Sequence, residues 1–342
     1  MTAYDNVRRE LERAPRTWLI TGVGGFIGSN LLETLLRLDQ RVVGLDNFST
    51  GYRRNLEEVE ASIAPERWRN FRLFEGDIGS LDTCHQACAS VDYVLHEAAL
   101  GSVPASMEDP LACHRTNVTG FINVLVAARD AKVKRLVYAS SSAVYGDNPE
   151  LPKTEEKVGQ VLSPYAASKA MGEMYAGVFG RVYGLESLGL RYFNVFGPRQ
   201  DPAGAYAAVI PKWLASLLKR ETVYINGDGA TTRDFCYIDN VVQANLLAAV
   251  TARKEAVNQV YNIAFGIRTT LNELFGLLQR TLRKGDPGLP EQEPVYRDFR
   301  SGDVRHSLAD IRKATDLLGF TPTHPIDQGL DLAMDWYRRH LQ

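Results

Sequence analysis

A doubly wound α/β fold, a parallel sheet with helices on both faces, is predicted by three features of the sequence. Short apolar runs alternate with stretches of helical periodicity through the first half. A glycine-rich turn separates the first run from the first helix, and the alternation stops after Phe196. In chain order, Tyr4, Val7 and Leu11 fall at helical spacing, so residues 4–13 read as a short surface helix. Strands are expected at Thr17–Thr21, Arg41–Leu45, Phe71–Phe74, Val91–His96, Arg135–Ser140 and Ser187–Asn194, with helices over Phe26–Leu38, Thr116–Ala131 and Pro164–Tyr183. Beyond Phe196, the stretch GPRQDPAGAYAAVIP is a loop by its Gly and Pro content. Val260–Ala264 is a strand able to rejoin the large sheet, and Lys284–Pro294 is a polar surface linker.

The 342 residues exceed one ordinary core and suggest two lobes. A helical extension over residues 1–16 is expected first. A Rossmann-type nucleotide lobe then spans 17–195 and regains about 234–265, and a smaller, interwoven α/β substrate lobe takes 196–233 and 266–342. The formal net charge of -2, from 39 basic and 41 acidic residues, leaves no basic excess for nucleic acid or an anionic membrane. An anionic ligand must therefore be held locally, by a few arginines and backbone amides. No apolar run approaches the ~20 residues of a membrane span, and the N-terminus lacks a secretory apolar stretch. Cys84, Cys88, Cys113 and Cys236 lack metal-ligand spacing, so free thiols, no metal and a cytoplasmic location are expected.

Gly22, Gly25 and Gly28 form G-x-x-G-x-x-G between the first strand and the first helix. The first glycine permits a tight turn, the second lets backbone approach a pyrophosphate, and the third lets the helix pack close on the sheet. Phe26 and Ile27 open that helix. Asp46 ends the second strand, 18 residues past Gly28, where a carboxylate meets the adenosine ribose and repels a 2′-phosphate. NAD is thus expected rather than NADP. Asn47, Phe48, Ser49 and Thr50 follow and edge the same ribose, and Asp77-Ile78 flanks the adenine.

Tyr165 and Lys169 in SPYAASK are four apart on one helical face. A nearby ammonium and a positive nicotinamide ring are expected to lower the tyrosine's pKa and make it a general base toward a sugar hydroxyl. Ser140, Ser141 and Ser142 stand at a strand C-terminus, where such sheets bind ligands; any of them could share a hydrogen bond with Tyr165. His96, at the end of strand four, reads as structural, beside a pocket that Glu97-Ala98-Ala99 lines mainly with backbone. His306 reads as lying off the sugar site.

TGVGGFIGS, LDN, GDI, ASSSAVYGD, SPYAASK, LRYFNVFGPRQ and GDVRHS, in this order, resemble the extended short-chain dehydrogenase/reductases, from about Thr17 to the C-terminus. Within them the chain resembles the UDP-hexose 4-epimerases, nearest the branch acting on N-acetylated sugars, through HEAALGSVP, GAYAAVIPKW and VYINGDG…TRDFCYIDN. The resemblance implies a UDP-GlcNAc/UDP-GalNAc 4-epimerase, with the uronic acids or UDP-Glc/UDP-Gal as further substrates. Tyr165 takes the C4-hydroxyl proton, NAD holds the C4 hydride, and the 4-keto sugar turns over and is reduced on its other face. It also implies a homodimer through Thr116–Ala131 and Pro164–Tyr183.

Carried over residue by residue, Ser141 matches the catalytic serine, with Ser142 beside it. Gly51, Ala98, Ala99, Asn117, Ser140 and Tyr192 join the cofactor set. Asn194 matches the asparagine at the diphosphate-sugar. Ala208, Val209, Tyr224, Ile225 and Asn226 match the uridine-lining stretches. Arg233 and Arg300 match the diphosphate arginines, and Asp303 the uridine-ribose carboxylate. Gly101, Ser102 and Gln200 fall in sugar-contacting loops. Ser307 stands where a bulky tyrosine excludes N-acetylated sugars in other members, and Arg199 and Arg305 leave a uronic acid open. Related 4,6-dehydratases carry Thr-Asp-Glu where Ser141-Ser142-Ala143 stands, and UDP-glucuronate decarboxylases carry a glutamate at Ala143. Elimination of water and decarboxylation are thereby disfavoured but remain the alternative, separable from epimerisation by product mass. A non-catalytic NAD-sensing role would more usually go with loss of the tyrosine or lysine.

Overall fold

The protein was analysed as a computed structural model, which describes residues 1–201, 208–299 and 304–341. Arg300 and Asp303 lie outside the described residues, as do residues 202–207 of the Gly/Pro-rich loop after Phe196.

Seven strands form one parallel sheet. They are β1 Thr17–Thr21, β2 Arg41–Asp46, β3 Phe71–Glu75, β4 Tyr93–His96, β5 Arg135–Ser141, β6 Ser187–Tyr192 and β11 Gln259–Ile263, in the order β11-β6-β5-β4-β1-β2-β3. The late strand β11 pairs with β6 from Gln259↔Leu188 to Ile263↔Tyr192, so the expected return of this segment to the large sheet is observed. Strand register places Thr21, His96 and Tyr138 side by side, and Ser141 beside Tyr192. The strand C-termini therefore present Thr21, His96, Ser141 and Tyr192 along one edge, where parallel sheets bind ligands.

One face of the sheet is covered by the Phe26–Arg37 and Ile238–Val250 helices, the other by Leu81–Cys88, Phe121–Asp130 and Pro164–Tyr183. Val137, Leu188 and Leu190 pack toward the first layer; Leu136 and Tyr138, alternating with them, pack toward the second. The N-terminal helix runs Ala3–Arg13, starts with a Thr2/Asp5 capping box, and buries Leu11. The four cysteines are free and buried. Among the described residues there is no group of metal-ligating side chains, and no helix is long and apolar enough to cross a membrane.

The expected helix over Thr116–Ala131 differs in form. Helical backbone begins earlier, at Pro110–His114, passes through a π-helical turn at Arg115–Gly120, and continues as Phe121–Asp130. One residue too many per turn rotates Asn117 inward, a feature that spacing rules for a regular helix miss. The remaining strands are short pairs: β7 Val195–Phe196 with β10 Cys236–Tyr237, β8 Tyr224–Asn226 with β13 Val295–Arg297, and β9 Thr232–Arg233 with β12 Thr269–Thr270.

Candidate active site

A cavity of about 1140 Å³ runs along the C-terminal edge of the sheet. That exceeds the usual single small-molecule site and leaves room for two nucleotides side by side. One end is walled by the glycine turn, Phe26, Ile27, Asp46, Asn47, Ser49, Thr50, Gly51, Asp77 and Ile78. The other end holds Ser140–Ala143, Tyr165, Lys169, Tyr192, Asn194, Arg233 and Ser307, with Ala98, Ala99 and Gly101 also in the wall.

The first end is built for close approach of a ligand to backbone. Gly22 has φ +73°, and a Cβ there would stand 2.7 Å from the Ala98 nitrogen; one on Gly28 would stand 2.1 Å from the Gly22 oxygen. Side chains at either place would displace backbone, so the turn must stay bare under the helix N-terminus. Asp46 is aimed by two backbone amides, Gly24 N–H to Oδ2 at 2.8 Å and Phe48 N–H to Oδ1 at 2.8 Å. Burial raises its pKa, and those amides oppose the shift. Asn47 Nδ2 donates to Asp77 Oδ2 at 2.8 Å, tying the two sides of this end together. A bare glycine cradle followed by an aimed carboxylate fits the diphosphate and ribose of NAD.

The second end is set by the Pro164–Tyr183 helix. Ser163 caps it by accepting from Ala166 N–H at 3.1 Å, and Pro164 occupies its first turn, which fixes Tyr165 and Lys169 one turn apart on the cavity side. Lys169 Nζ donates to the Ala139 carbonyl at 2.8 Å and lies 5.9 Å from the Tyr165 ring centre. The three serines separate by direction. Ser140 donates to Glu173 Oε1 at 2.5 Å; the Ser141 hydroxyl hydrogen-bonds the Tyr165 side chain; Ser142 opens a 3-10 turn on the wall.

The expected lowering of the Tyr165 pKa is not found in the protein alone. Burial raises it, the Ser141 hydrogen bond offsets part of that, and Cys113 and Glu97 raise it further. Burial also pushes Lys169 down to about 8. Desolvation of the charged form is the largest influence on each, so phenolate needs a further positive charge in the cavity.

Several expected residues stand elsewhere. Phe48 packs its ring under the Arg53 guanidinium, 4.3 Å to the ring centre, so it supports the Asp46 turn through its backbone. Asn117 lies behind the wall: its side chain accepts from Leu100 N–H at 2.8 Å and donates to Leu100 O at 3.1 Å and Ser168 Oγ at 3.0 Å. Ser102 spends its hydroxyl capping a helix at Ala105, and Gln200 Nε2 donates to the Val195 carbonyl. Ala208 and Val209 begin a helix outside the wall. Tyr224 and Asn226 are exposed on β8, while Ile225 is fully buried in the core and presents no side chain to a ligand. Arg199 does line the cavity, but its guanidinium is committed to Asn30 and Glu33 at 2.7 Å each; Arg305 lies off the wall and pairs with Asp228 at 2.6 Å. His96 is buried, bonded to Thr21 and stacked on Phe121, with its pKa lowered by burial to about 3, which makes it structural.

Sequence reasoning passed over three groups. Glu97 turns its carboxyl into the site and accepts from Tyr192 Oη at 2.9 Å. Asp234, fully buried, accepts from the backbone of Phe265, Gly266 and Ala309, locking Arg233 and the Ser307 segment to the loop after β11; burial raises its pKa to about 6. Arg191 and Glu173 form a buried bidentate pair at 2.7 and 2.8 Å behind Ser140. The sequence signal for Glu97 is a charged residue directly after the apolar run of a central strand, and for Arg191 a charge inside such a run; Asp234, between the short strands Thr232–Arg233 and Cys236–Tyr237, gives no such signal.

Comparison with known proteins agrees with this geometry. Residues 18–264 match the family model described as NAD dependent epimerase/dehydratase family. A UDP-glucose 4-epimerase of Mycolicibacterium smegmatis is 36% identical over 326 residues, 95% of this chain and 99% of that protein. A UDP-glucuronate 4-epimerase of Thermodesulfobacterium geofontis is 32% identical over 330 residues, 95% and 97% of the two chains. A solved UDP-N-acetylglucosamine 4-epimerase from Methanobrevibacter ruminantium M1, in complex with UDP-N-acetylmuramic acid, superposes with a TM-score of 0.86. It is 36% identical, with 95% and 99% of the chains covered. With its glycine cradle, aimed Asp46 and facing Tyr165 and Lys169, the chain belongs to the NAD dependent epimerase/dehydratase family, of the extended short-chain type.

Proposed function

We propose that the protein is an NAD-dependent 4-epimerase of UDP-N-acetylhexosamines, interconverting UDP-GlcNAc and UDP-GalNAc. The observation that carries this reading is one cavity with Ser141, Tyr165 and Lys169 on one wall, the small Ser307 in the same lining, and Ala143 where elimination would need a carboxylate. Bound NAD supplies a hydride acceptor that returns what it takes. Tyr165 then moves the proton of the sugar C4 hydroxyl, Ser141 holds that hydroxyl through the Tyr165 hydrogen bond, and Lys169, 5.9 Å from the Tyr165 ring centre, is the nearby cation for the phenolate. Arg233, on the cavity wall, suits a diphosphate by its planar fork; Arg300 is proposed for the diphosphate and Asp303 for the uridine ribose. The neutral contacts of Asn194 and Ser142 leave the hexose orientation to that anchor, so a 4-keto sugar can turn over between two hydride transfers.

The uronic acids are the weaker substrates under this reading, since Arg199 and Arg305 already hold carboxylates of the protein. The test is an NMR product assay with UDP-GlcNAc, UDP-Glc and their two uronic acids, without added cofactor. Interconversion of UDP-GlcNAc and UDP-GalNAc at constant mass is expected. Turnover of UDP-Glc with UDP-GlcNAc untouched would refute the assignment, and any loss of mass would mean elimination or decarboxylation. The division into lobes at 17–195 with 234–265, and 196–233 with 266–342, is proposed with it. So is a homodimer through the Pro164–Tyr183 helix, where Met171, Met174, Tyr175, Val178 and Val182 form an exposed apolar stripe at helical spacing. Light scattering should give twice the chain mass.

A further inference from the structure

Glu97 is a half-buried ionisable group that the proton transfer at Tyr165 does not use. It follows β4, its N–H donating to Thr21 O at 3.1 Å, and the pairing of His96 with Tyr138 sets it level with Ala139 on β5. Its side chain reaches across to β6, where Oε1 accepts from Tyr192 Oη at 2.9 Å. The same Tyr192 oxygen accepts from Asn245 Nδ2 at 2.9 Å, on the helix beneath the sheet. Glu97 Oε2 is buried and has no hydrogen-bond partner among the described residues. The residue lines the end of the cavity shared by Tyr165, Lys169 and Tyr192.

A carboxyl in this position is costly unless charge compensates it. Burial raises its pKa to about 7, while the Tyr192 hydrogen bond and the Lys169 ammonium pull it back. In turn, Glu97 is the first charged neighbour that supports the protonated form of Lys169 against burial. An oxidised nicotinamide carries a positive charge, and a reduced one does not. Two cations, the ring and Lys169, would repel in a water-poor site. A negative group under the same end relieves that repulsion, and does so for the oxidised form alone.

We propose that Glu97 is a positioning residue whose negative charge balances Lys169 and makes the site prefer the oxidised, positively charged cofactor over the reduced one. A resident hydride store has to be kept ready to accept, and this charge does that without touching the sugar. The inference rests on NAD being the resident cofactor, and not on which sugar is turned over. A unit charge within about 10 Å of another, at an effective dielectric of about 20, changes their balance by about tenfold.

The experiment compares wild type, Glu97→Gln, Glu97→Leu and Glu97→Asp as holoenzymes. Each is brought to equilibrium with mixtures of NAD+ and NADH at fixed ratio. Free nucleotide is then removed, and bound NADH is read by its near-ultraviolet absorbance against total bound nucleotide. The glutamine keeps an acceptor for Tyr192, so packing is preserved while charge is lost. Both neutral variants should hold NADH over NAD+ by about tenfold more than wild type, with Glu97→Asp near wild type; leucine answers the question if the glutamine variant does not fold. Ratios in the neutral variants within twofold of wild type would overturn the proposal, as would an equal shift in Glu97→Asp. Wild type that takes up neither nucleotide would overturn the cofactor assignment itself, and the inference with it.

Discussion

Removal of the Asn117 side chain should loosen cofactor binding without touching the cofactor. Asn117 is buried behind the cavity wall and makes both backbone bonds of Leu100, at 2.8 and 3.1 Å, plus one to Ser168 Oγ at 3.0 Å. In Asn117→Ala the Leu100 N–H and C=O lose their partners. A buried group left unpaired costs about 1–3 kcal/mol. Leu100 is only partly buried, so the lower end applies to each group, about 2 kcal/mol in all. The loop from Ala98 to Gly101 then either stays in place at that cost or opens. If it opens, the competent fraction falls by up to about 30-fold and the apparent Kd for NAD+ rises by the same factor. If it stays, the loss appears in the free energy of unfolding. Urea unfolding and calorimetric titration with NAD+ on the same protein should therefore sum to about 2 kcal/mol. Asn117→Asp, which keeps the acceptor for Leu100 N–H and loses the donors, should fall between. Kd within twofold of wild type together with unchanged unfolding would refute the claim that this amide holds the wall.

Three further outcomes follow from the site. Tyr165→Phe should lower epimerase turnover by about 10²–10⁴-fold while the purified protein still carries NAD, because only the transferred proton is lost; cofactor content and product NMR check both halves. Burial lowers Lys169 to about 8, so turnover should fall as pH rises above about 8 and the ammonium is lost, and Lys169→Met should abolish that pH limb as well as most activity. For stability the sign is opposite: between about 8 and the ordinary lysine value the unfolded chain binds more protons, so unfolding free energy should rise with pH there, and the rise should vanish in Lys169→Met. Ser307→Tyr should cut kcat/KM for UDP-GlcNAc by about 10–100-fold, the price of overfilling a site by 1–3 kcal/mol, and change UDP-Glc far less; equal losses on both substrates would show that the position does not measure the C2 group.

Much of this architecture was legible because its signals are local. The glycine turn, the strand ending in Asp46 and the one-turn spacing of Tyr165 and Lys169 each sit within a few residues, and the structure draws them into one cavity. What escaped depends on partners far along the chain. The charge of Arg199, on the cavity wall, is visible in the sequence, but its commitment to Glu33 across 166 positions is not, and the same holds for Arg305 and Asp228, away from the wall. Asn117 escaped because a π-helical turn re-aims it, and periodicity assumes a regular helix. Glu97 escaped because a residue among alanines reads as backbone wall, whereas its side chain crosses to Tyr192 on β6.

The hardest quantity to read was the ionisation of Tyr165, because it is a difference between opposing terms. The sequence supplies Lys169 at the right spacing and suggests an acidified phenol. Burial reverses that sign, and Glu97 adds to the reversal. The protein alone therefore holds Tyr165 protonated, and a positive charge must arrive with the ligand before the phenol can act as a base. An oxidised nicotinamide carries such a charge and loses it on reduction. Tyr165 is then a better proton acceptor before hydride leaves the sugar and a firmer proton holder after it. The same residue can take the proton in one half of a reversible cycle and keep it for return in the other. Burial of Tyr165, which looks adverse to a base, is what makes its proton affinity respond so strongly to that single charge.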